Sequence, residues 1–179
     1  MTANGADGLI AVAAGAGGHA GRWSPFALVQ EIRKWFDGPL ALSGAIATGG
    51  AVLAAKAMGA DFAYIGSPFI ATPEARATEE YKEAIIESGA ADIVTSALFT
   101  GVSGNYLRKS IVAAGLDPDN LPQPGPDAMN FQAATGAKAW RDIWGSGQGI
   151  GMIDKVTPAS ELIDRLTREY EAAKARVCP

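Results

Sequence analysis

Pro39-Leu40-Ala41-Leu42-Ser43-Gly44-Ala45-Ile46-Ala47-Thr48-Gly49-Gly50 is the stretch that decides the architecture. It opens as a short apolar run, passes into a glycine-rich loop, and leads into a small-residue helical stretch that ends at Met58-Gly59. Strand, glycine loop and helix in that order make one parallel βα unit. The same pattern flanks it on both sides. Upstream, a strand over about Gly8 to Ala14 runs into Gly15 to Gly21. Ser24-Pro25 then supplies an N-cap and a proline at the first helical position, and Phe26, Val29, Ile32, Trp35 and Phe36 recur at helical spacing until Asp37-Gly38. Downstream, a strand over Phe62 to Ile65 meets Gly66-Ser67-Pro68, and a helical stretch runs from about Glu74 to Ser88.

Beyond Asp92 the pattern loosens. Ile93-Val94 reads as part of a strand or an extended turn, Tyr106 to Ala114 as a helix, and Trp140 to Trp144 as a short helix before Gly145 to Gly151. Four of the ten prolines fall between Asp117 and Asp127, which predicts a surface loop. Thr157-Pro158 opens a last helix reaching about Arg176, with Leu162, Ile163, Leu166 and Tyr170 on one face. The expected fold is therefore α/β: the C-terminal part of a TIM (β/α)8 barrel, with about four βα units and a terminal helix, in one partial domain over residues 1–179. A closed eightfold barrel takes about 250 residues. Half of one would expose two strand edges and an apolar interior. The chain thus reads as a fragment whose N-terminal half-barrel is missing, or as one whose halves come together between chains.

Composition narrows the function. With 48% apolar and 19% charged residues the chain has the balance of a globular domain, and its net charge of −4 offers no basic field for a nucleic acid. No apolar run reaches the ~18 to 20 residues that cross a bilayer, and no charged leader precedes a long apolar segment. The expectation is a cytoplasmic protein without nucleic-acid or membrane partners. The lone Cys178 reads as an inert tail residue, and without Cys-x-x-Cys pairs or clustered histidines no metal site is expected.

Three consecutive strands end in glycine loops, and in parallel α/β folds such loops converge on one crevice. Their backbone N–H groups suit an anion, above all a phosphate. The first loop carries the chain's one histidine, His19, and imidazole is the side chain whose unperturbed pKa lies nearest neutrality. The nucleotide P-loop ending is absent, no Gly-x-Gly-x-x-Gly dinucleotide signature is convincing, and no Gly-x-Ser-x-Gly elbow marks a serine hydrolase.

Gly17-Gly18-His19, Ser43 to Gly49, Met58-Gly59-Ala60-Asp61, Tyr64 to Thr72 and Gly147-Gln148-Gly149 together resemble, in order and spacing, the nitronate monooxygenases, formerly 2-nitropropane dioxygenases. The resemblance spans nearly the whole chain but only the C-terminal portion of that family's FMN-dependent TIM barrel. It implies a flavoprotein oxidoreductase that oxidises alkyl nitronates or nitroalkanes with O2 to carbonyl compounds and nitrite. It also implies roles for individual residues. His19 matches the active-site histidine, Gly17 and Gly18 lie near flavin and substrate, and Gly44 and Ala45 with Ile46 match one phosphate loop. Gly66 and Ser67 match the second phosphate contact, with Tyr64 and Ile65 leading into it, and Gln148 falls in a motif near the site without a firm role. Three departures stand out. Ala45 replaces a usual glycine, which is harmless at negative φ and strained at positive φ; Ser67 replaces threonine and keeps the hydroxyl; Pro68 stands where arginine is common. The alternatives are a flavin-dependent enoyl-acyl-carrier-protein reductase, whose family shares the Gly-Gly-His loop, and a non-catalytic truncated flavin-binding remnant.

Other conspicuous residues take plainer readings. Trp23, Trp35, Trp140 and Trp144 read as core or loop anchors, Glu79 to Glu83 as a solvated helix face, and Asp164, Arg165, Arg168 and Glu169 as a solvent-facing stripe.

Overall fold

A computed structural model describes residues 5–122, 138 and 140–177. Its centre is a three-stranded parallel sheet, β1 (Leu9–Val12), β3 (Leu40–Ser43) and β4 (Phe62–Tyr64), with β3 in the middle. The register pairs Ile10 with Ala41 and Ala41 with Phe62, then Val12 with Ser43 and Ser43 with Tyr64. Each strand feeds a helix as the sequence predicts. The helix α1 (Pro25–Arg33) begins where the Ser24 hydroxyl accepts the Ala27 N–H. The helix α2 (Gly49–Met58) is capped by Thr48 in the same way and ends on Gly59, whose φ of 110° suits a residue without Cβ. A four-residue α3 (Ser67–Ile70) follows β4, and α4 (Glu79–Ile86) starts five residues later than expected, at the Thr78 cap.

One face of the parallel sheet is a packed core. Ala11, Leu40 and Leu42 are buried with Val29 of α1 and Ala55 of α2. The opposite face is open: Ile10 (57%), Val12 (40%), Phe62 (63%) and Tyr64 (56%) are exposed on it. Two cross-strand apolar rows facing solvent are what half a barrel interior looks like, since in a closed barrel that face is filled by the strands opposite.

Downstream the structure departs from a simple run of βα units. A two-residue β2 (Gly18–His19), β5 (Ile93–Ser96) and β6 (Gly104–Leu107) form a second, antiparallel sheet in the order β2-β6-β5. Tyr106 and Leu107, expected in a helix, are strand residues instead, and α5 covers only Arg108–Ala113. Their side chains explain it: both are fully buried, in two adjacent cores, which a strand buried on both faces can serve. Trp140 to Trp144 is not a helix; Asp142 N–H bonds back to the Lys138 carbonyl in a single turn, after which Gly145 bridges to Tyr106. The expected proline loop lies only partly within the described residues, and Cys178 lies outside them. The last helix, α6 (Ala159–Val177), falls where expected and packs along α2, but Ile163, expected on its packed face, is exposed.

Candidate active site

The carboxyl ends of the three parallel strands do converge. Gly15 to Gly18 after β1, Gly44 to Ala47 after β3, and Gly66 to Pro68 after β4 line one cleft of about 310 Å3, with Tyr81, Trp140 and the 145–149 loop closing its side. That volume lies at the low end of small-molecule sites, about 300–1,000 Å3.

Much of the wall is backbone, and the loops are cross-tied. The Gly15 carbonyl accepts from both Ala45 N–H (3.1 Å) and Gln148 N–H (3.0 Å), so it joins the loops after β1 and β3 to the 145–149 loop. Ser67 Oγ accepts the Gly147 N–H at 2.9 Å, which leaves the hydroxyl proton free to donate. Asn105, buried on β6, donates from Nδ2 to the Ala16 carbonyl at 2.8 Å and takes the Thr95 hydroxyl proton on Oδ1. Contacts this close require glycine: a Cβ on Gly17 would stand 2.7 Å from Gly147 N, and one on Gly149 would stand 2.8 Å from the Ala45 carbonyl oxygen. Gly66 differs, for a Cβ there meets nothing within 4 Å, so its backbone faces open space at the cleft.

Ala45 adopts φ +54°, the left-handed region, so the departure from glycine falls at a strained position. Trp140 is the other non-glycine residue at positive φ among the described residues, at 68°. It lines the cleft, and its ring meets the His19 ring edge-on at 5.2 Å and the Tyr106 ring at 5.7 Å. Tyr81 donates its hydroxyl to the Gly145 carbonyl at 2.5 Å and stacks on Trp144 at 5.0 Å. Burial pushes its phenol up to about 12, so it stays protonated and acts as a donor.

Of the residues singled out from sequence, Gly17, Gly18, Gly44, Ala45, Tyr64, Gly66 and Ser67 line the cleft. His19, Ile65 and Gln148 do not. Ile65 packs instead on the core beneath the sheet. Gln148 brackets the first loop, its Oε1 sitting where a Cβ on Gly15 would come within 2.9 Å. His19 stands at the rim, one residue past Gly18, exposed and bonded through Nε2 to Thr100 Oγ1 at 3.2 Å. Trp140, Tyr81 and Asn105 were not foreseen as site residues. Nothing in the spacing of the first two marks them, because they reach the cleft from α4 and from a turn after the proline loop.

Some plain readings also change. Of the tryptophans read as core or loop anchors, Trp23, Trp35 and Trp140 are exposed, which removes the core alternative for those three. Lys82 is buried and paired with Glu79 at 2.9 Å. Arg165 and Glu169 are not in the solvent stripe: Glu169 Oε2 accepts the Gly49 N–H at 2.8 Å, and Arg165 reaches the Ala47 carbonyl. No helix among the described residues is long and apolar enough to cross a membrane.

Parallel strands delivering glycine loops to one cleft at their carboxyl ends, with one sheet face uncovered, define part of a TIM (β/α)8 barrel, the cleft lying on the side where that fold carries its ligand sites. The chain belongs to the nitronate monooxygenase family, whose sequence profile matches residues 1–169. It is 29% identical to a nitronate monooxygenase of Paraburkholderia phytofirmans over 96% of this chain and 51% of that protein. Among solved structures it resembles a nitroalkane oxidase from Streptomyces ansochromogenes, with a TM-score of 0.78, 28% identity, and coverage of 98% of this chain and 55% of that one. FabK from Thermotoga maritima gives a TM-score of 0.76 at 26% identity, over 97% and 57% of the two chains. The chain therefore spans about half the length of the relatives it matches.

Proposed function

We propose that this chain supplies the phosphate-binding and histidine-bearing half of an FMN-dependent nitronate monooxygenase, which oxidises alkyl nitronates with O2 to carbonyl compounds and nitrite. The observation that carries the reading is the shared cleft, where three strand-end loops present backbone and the Ser67 hydroxyl to one space. The fit to FMN rests on that wall: Gly66 faces open space, Ser67 Oγ keeps a proton to donate, and the small residues Gly44, Ala45 and Ala47 let a phosphate approach the chain. FMN would be held there by Gly44, Gly66 and Ser67, beside Ala45, Tyr64 and Gly18, and would supply the electron transfer between nitronate and dioxygen. The residues of the chain bind and orient. His19, at the rim beside Trp140, is placed to take a proton from the acidic carbon of a neutral nitroalkane or to hydrogen-bond a preformed nitronate. Trp140 shields one side of the imidazole from water, and Tyr81 holds the 145–149 loop against the cleft.

The test is a barrel completed with the first half of the Paraburkholderia phytofirmans relative and loaded with FMN. Nitrite release from an alkyl nitronate under air is expected, with His19→Ala abolishing turnover while flavin stays bound. Flavin reduction by NADH or NADPH without oxygen, and none by nitronate, would replace this reading with an enoyl-reductase-like one. A completed barrel that takes up no flavin would remove the cofactor assignment.

A further inference from the structure

The loop that carries His19 is anchored by one buried side chain. Asn105 on β6 places its Nδ2 2.8 Å from the Ala16 carbonyl oxygen and its Oδ1 2.5 Å from Thr95 Oγ1. A carbonyl only accepts, so the amide nitrogen is the atom that faces Ala16, and the amide oxygen is left for Thr95, whose hydroxyl donates to it. The backbone of the same residue is engaged as well. It pairs with Gly18 across the antiparallel sheet, and its carbonyl accepts the Ser146 N–H at 3.2 Å. Asn105 thus meets the His19 loop at two points and the 145–149 loop at a third. The stretch between those points needs such ties, because Gly15, Gly17 and Gly18 leave its backbone free to turn either way.

We propose that Asn105 is the positioning residue of the His19 loop: it fixes the path from Ala16 to His19 against the 145–149 loop and so sets where the imidazole stands at the rim of the cleft. The place demands a donor and an acceptor on one short planar group. Aspartate has the same shape, but as a carboxylate it only accepts, and it would turn an oxygen against the Ala16 carbonyl. Leucine would leave both the Ala16 carbonyl and the Thr95 hydroxyl without this partner. The consequence for turnover rests on the function proposed above, where a misplacement of about 1 Å costs about a hundredfold in rate. The anchoring of the loop does not depend on that function.

Asn105→Asp is the test, because the introduced carboxyl can donate to Ala16 only while it is protonated. Burial beside a carbonyl oxygen holds such a carboxyl above its usual value of about 4, so the tie is present below that raised value and lost above it. In the completed, FMN-loaded barrel the variant's kcat/KM for an alkyl nitronate is expected at about a tenth to a hundredth of the parent's at neutral pH, with the ratio of variant to parent recovering as pH falls. Taking the ratio removes the parent's own titration of His19, which sits on the strand beside Asn105. A second readout needs no turnover: in the 15N-labelled protein the Gly17 amide nitrogen, bonded to the Ala16 carbonyl carbon, should shift in Asn105→Asp at neutral pH and return on acidification. A Gly17 resonance that the substitution leaves in place, or a kcat/KM ratio that does not change with pH, would overturn the proposal. If Asn105→Asp does not fold, Thr95→Val decides, since it removes the hydroxyl that orients the amide. About threefold lower kcat/KM and a shifted Gly17 amide are expected, both restored in Thr95→Ser, and parent-like values overturn the proposal. A pH-reversible Gly17 shift in a completed barrel that turns over no nitronate sinks the function and leaves the anchor standing.

Discussion

Glu169 on α6 places its carboxylate 2.8 Å from the backbone N–H of Gly49, the first residue of α2. A carboxylate at a helix N-terminus meets the positive end of the helix dipole and an orphan N–H together. The contact also decides what Gly49 is for. From sequence it belongs to the glycine-rich loop after β3, but in space it is where α6 crosses α2: a Cβ there would come within 2.2 Å of both the Leu166 carbonyl oxygen and Tyr170 N.

Gly49→Ala should therefore cost stability without touching the cleft. Backbone cannot yield as a side-chain tip does, so the loss is expected at about 2–3 kcal/mol or more. Glu169→Gln keeps an acceptor and loses the charge, and should cost about 0.5–1 kcal/mol. Urea denaturation of both variants checks the order; a neutral Gly49→Ala would mean that α6 packs elsewhere.

Ala45 offers a gain. At φ +54° an L-residue bears roughly 1–2 kcal/mol of strain, part of which glycine gives back through its larger unfolded-state entropy. Ala45→Gly is expected to raise stability by about 0.5–1 kcal/mol, read as a higher urea midpoint with an unchanged slope. Its N–H is already bonded to the Gly15 carbonyl, so flavin affinity should change little.

These two positions show what the sequence can and cannot disclose. The parallel strands, the helix caps at Ser24 and Thr48, the stop at Gly59 and the meeting of three glycine loops all follow from local patterns, because period, caps and turn chemistry are properties of neighbouring residues. The roles of Gly49 and Glu169 depend on a contact across 120 positions. The strand at Tyr106 was hidden for a related reason. Gly104–Leu107 is strand because it pairs with Gly18–His19, far along the chain, as well as with nearby Ile93–Ser96, while its own residues run on into a helix without a break. Asn105, which ties the His19 loop to the second sheet, is invisible for the same cause.

The open face of the parallel sheet should behave as an unsatisfied interface. Ile10, Val12, Phe62 and Tyr64 form adjoining rows there, so the isolated chain is expected to bind a hydrophobic dye and to self-associate. Phe62→Ser with Ile10→Thr should lower both signals, while stability shifts by about 0.5 kcal/mol or less because neither side chain is buried. Light scattering and dye fluorescence give the answer; variants that unfold would place these side chains in a core.

Asp61 gives the fold an acid-sensitive pin. Its Oδ2 accepts from Leu40 N–H and from Arg33 Nη2, each at 2.8 Å, and these bonds, the backbone one first, hold its carboxyl below the usual aspartate range. A depressed carboxylate stabilises the fold above its unfolded value of about 4, and that contribution is lost as pH falls through the lower folded value. Acid titration of the unfolding midpoint should show a decline below about pH 4 that is shallower in Asp61→Asn.

Ser67 is where stability and ligand binding should part company. Its oxygen accepts the Gly147 N–H, and its remaining proton is free at the cleft wall, so one hydroxyl ties the loop that carries Gln148 and can also donate to a bound anion. Ser67→Ala removes both. Leaving the Gly147 amide unpaired should cost about 1 kcal/mol of stability, and a lost charge-assisted bond to phosphate should weaken FMN binding in the completed barrel about tenfold. Ser67→Thr keeps the hydroxyl and should restore both, provided the added methyl finds room beside Gly66, where the backbone faces open space. Flavin fluorescence titration measures the affinity and urea denaturation the stability. If the alanine variant binds FMN as tightly as the parent while losing stability, Ser67 holds the loop alone and the phosphate sits elsewhere in the cleft.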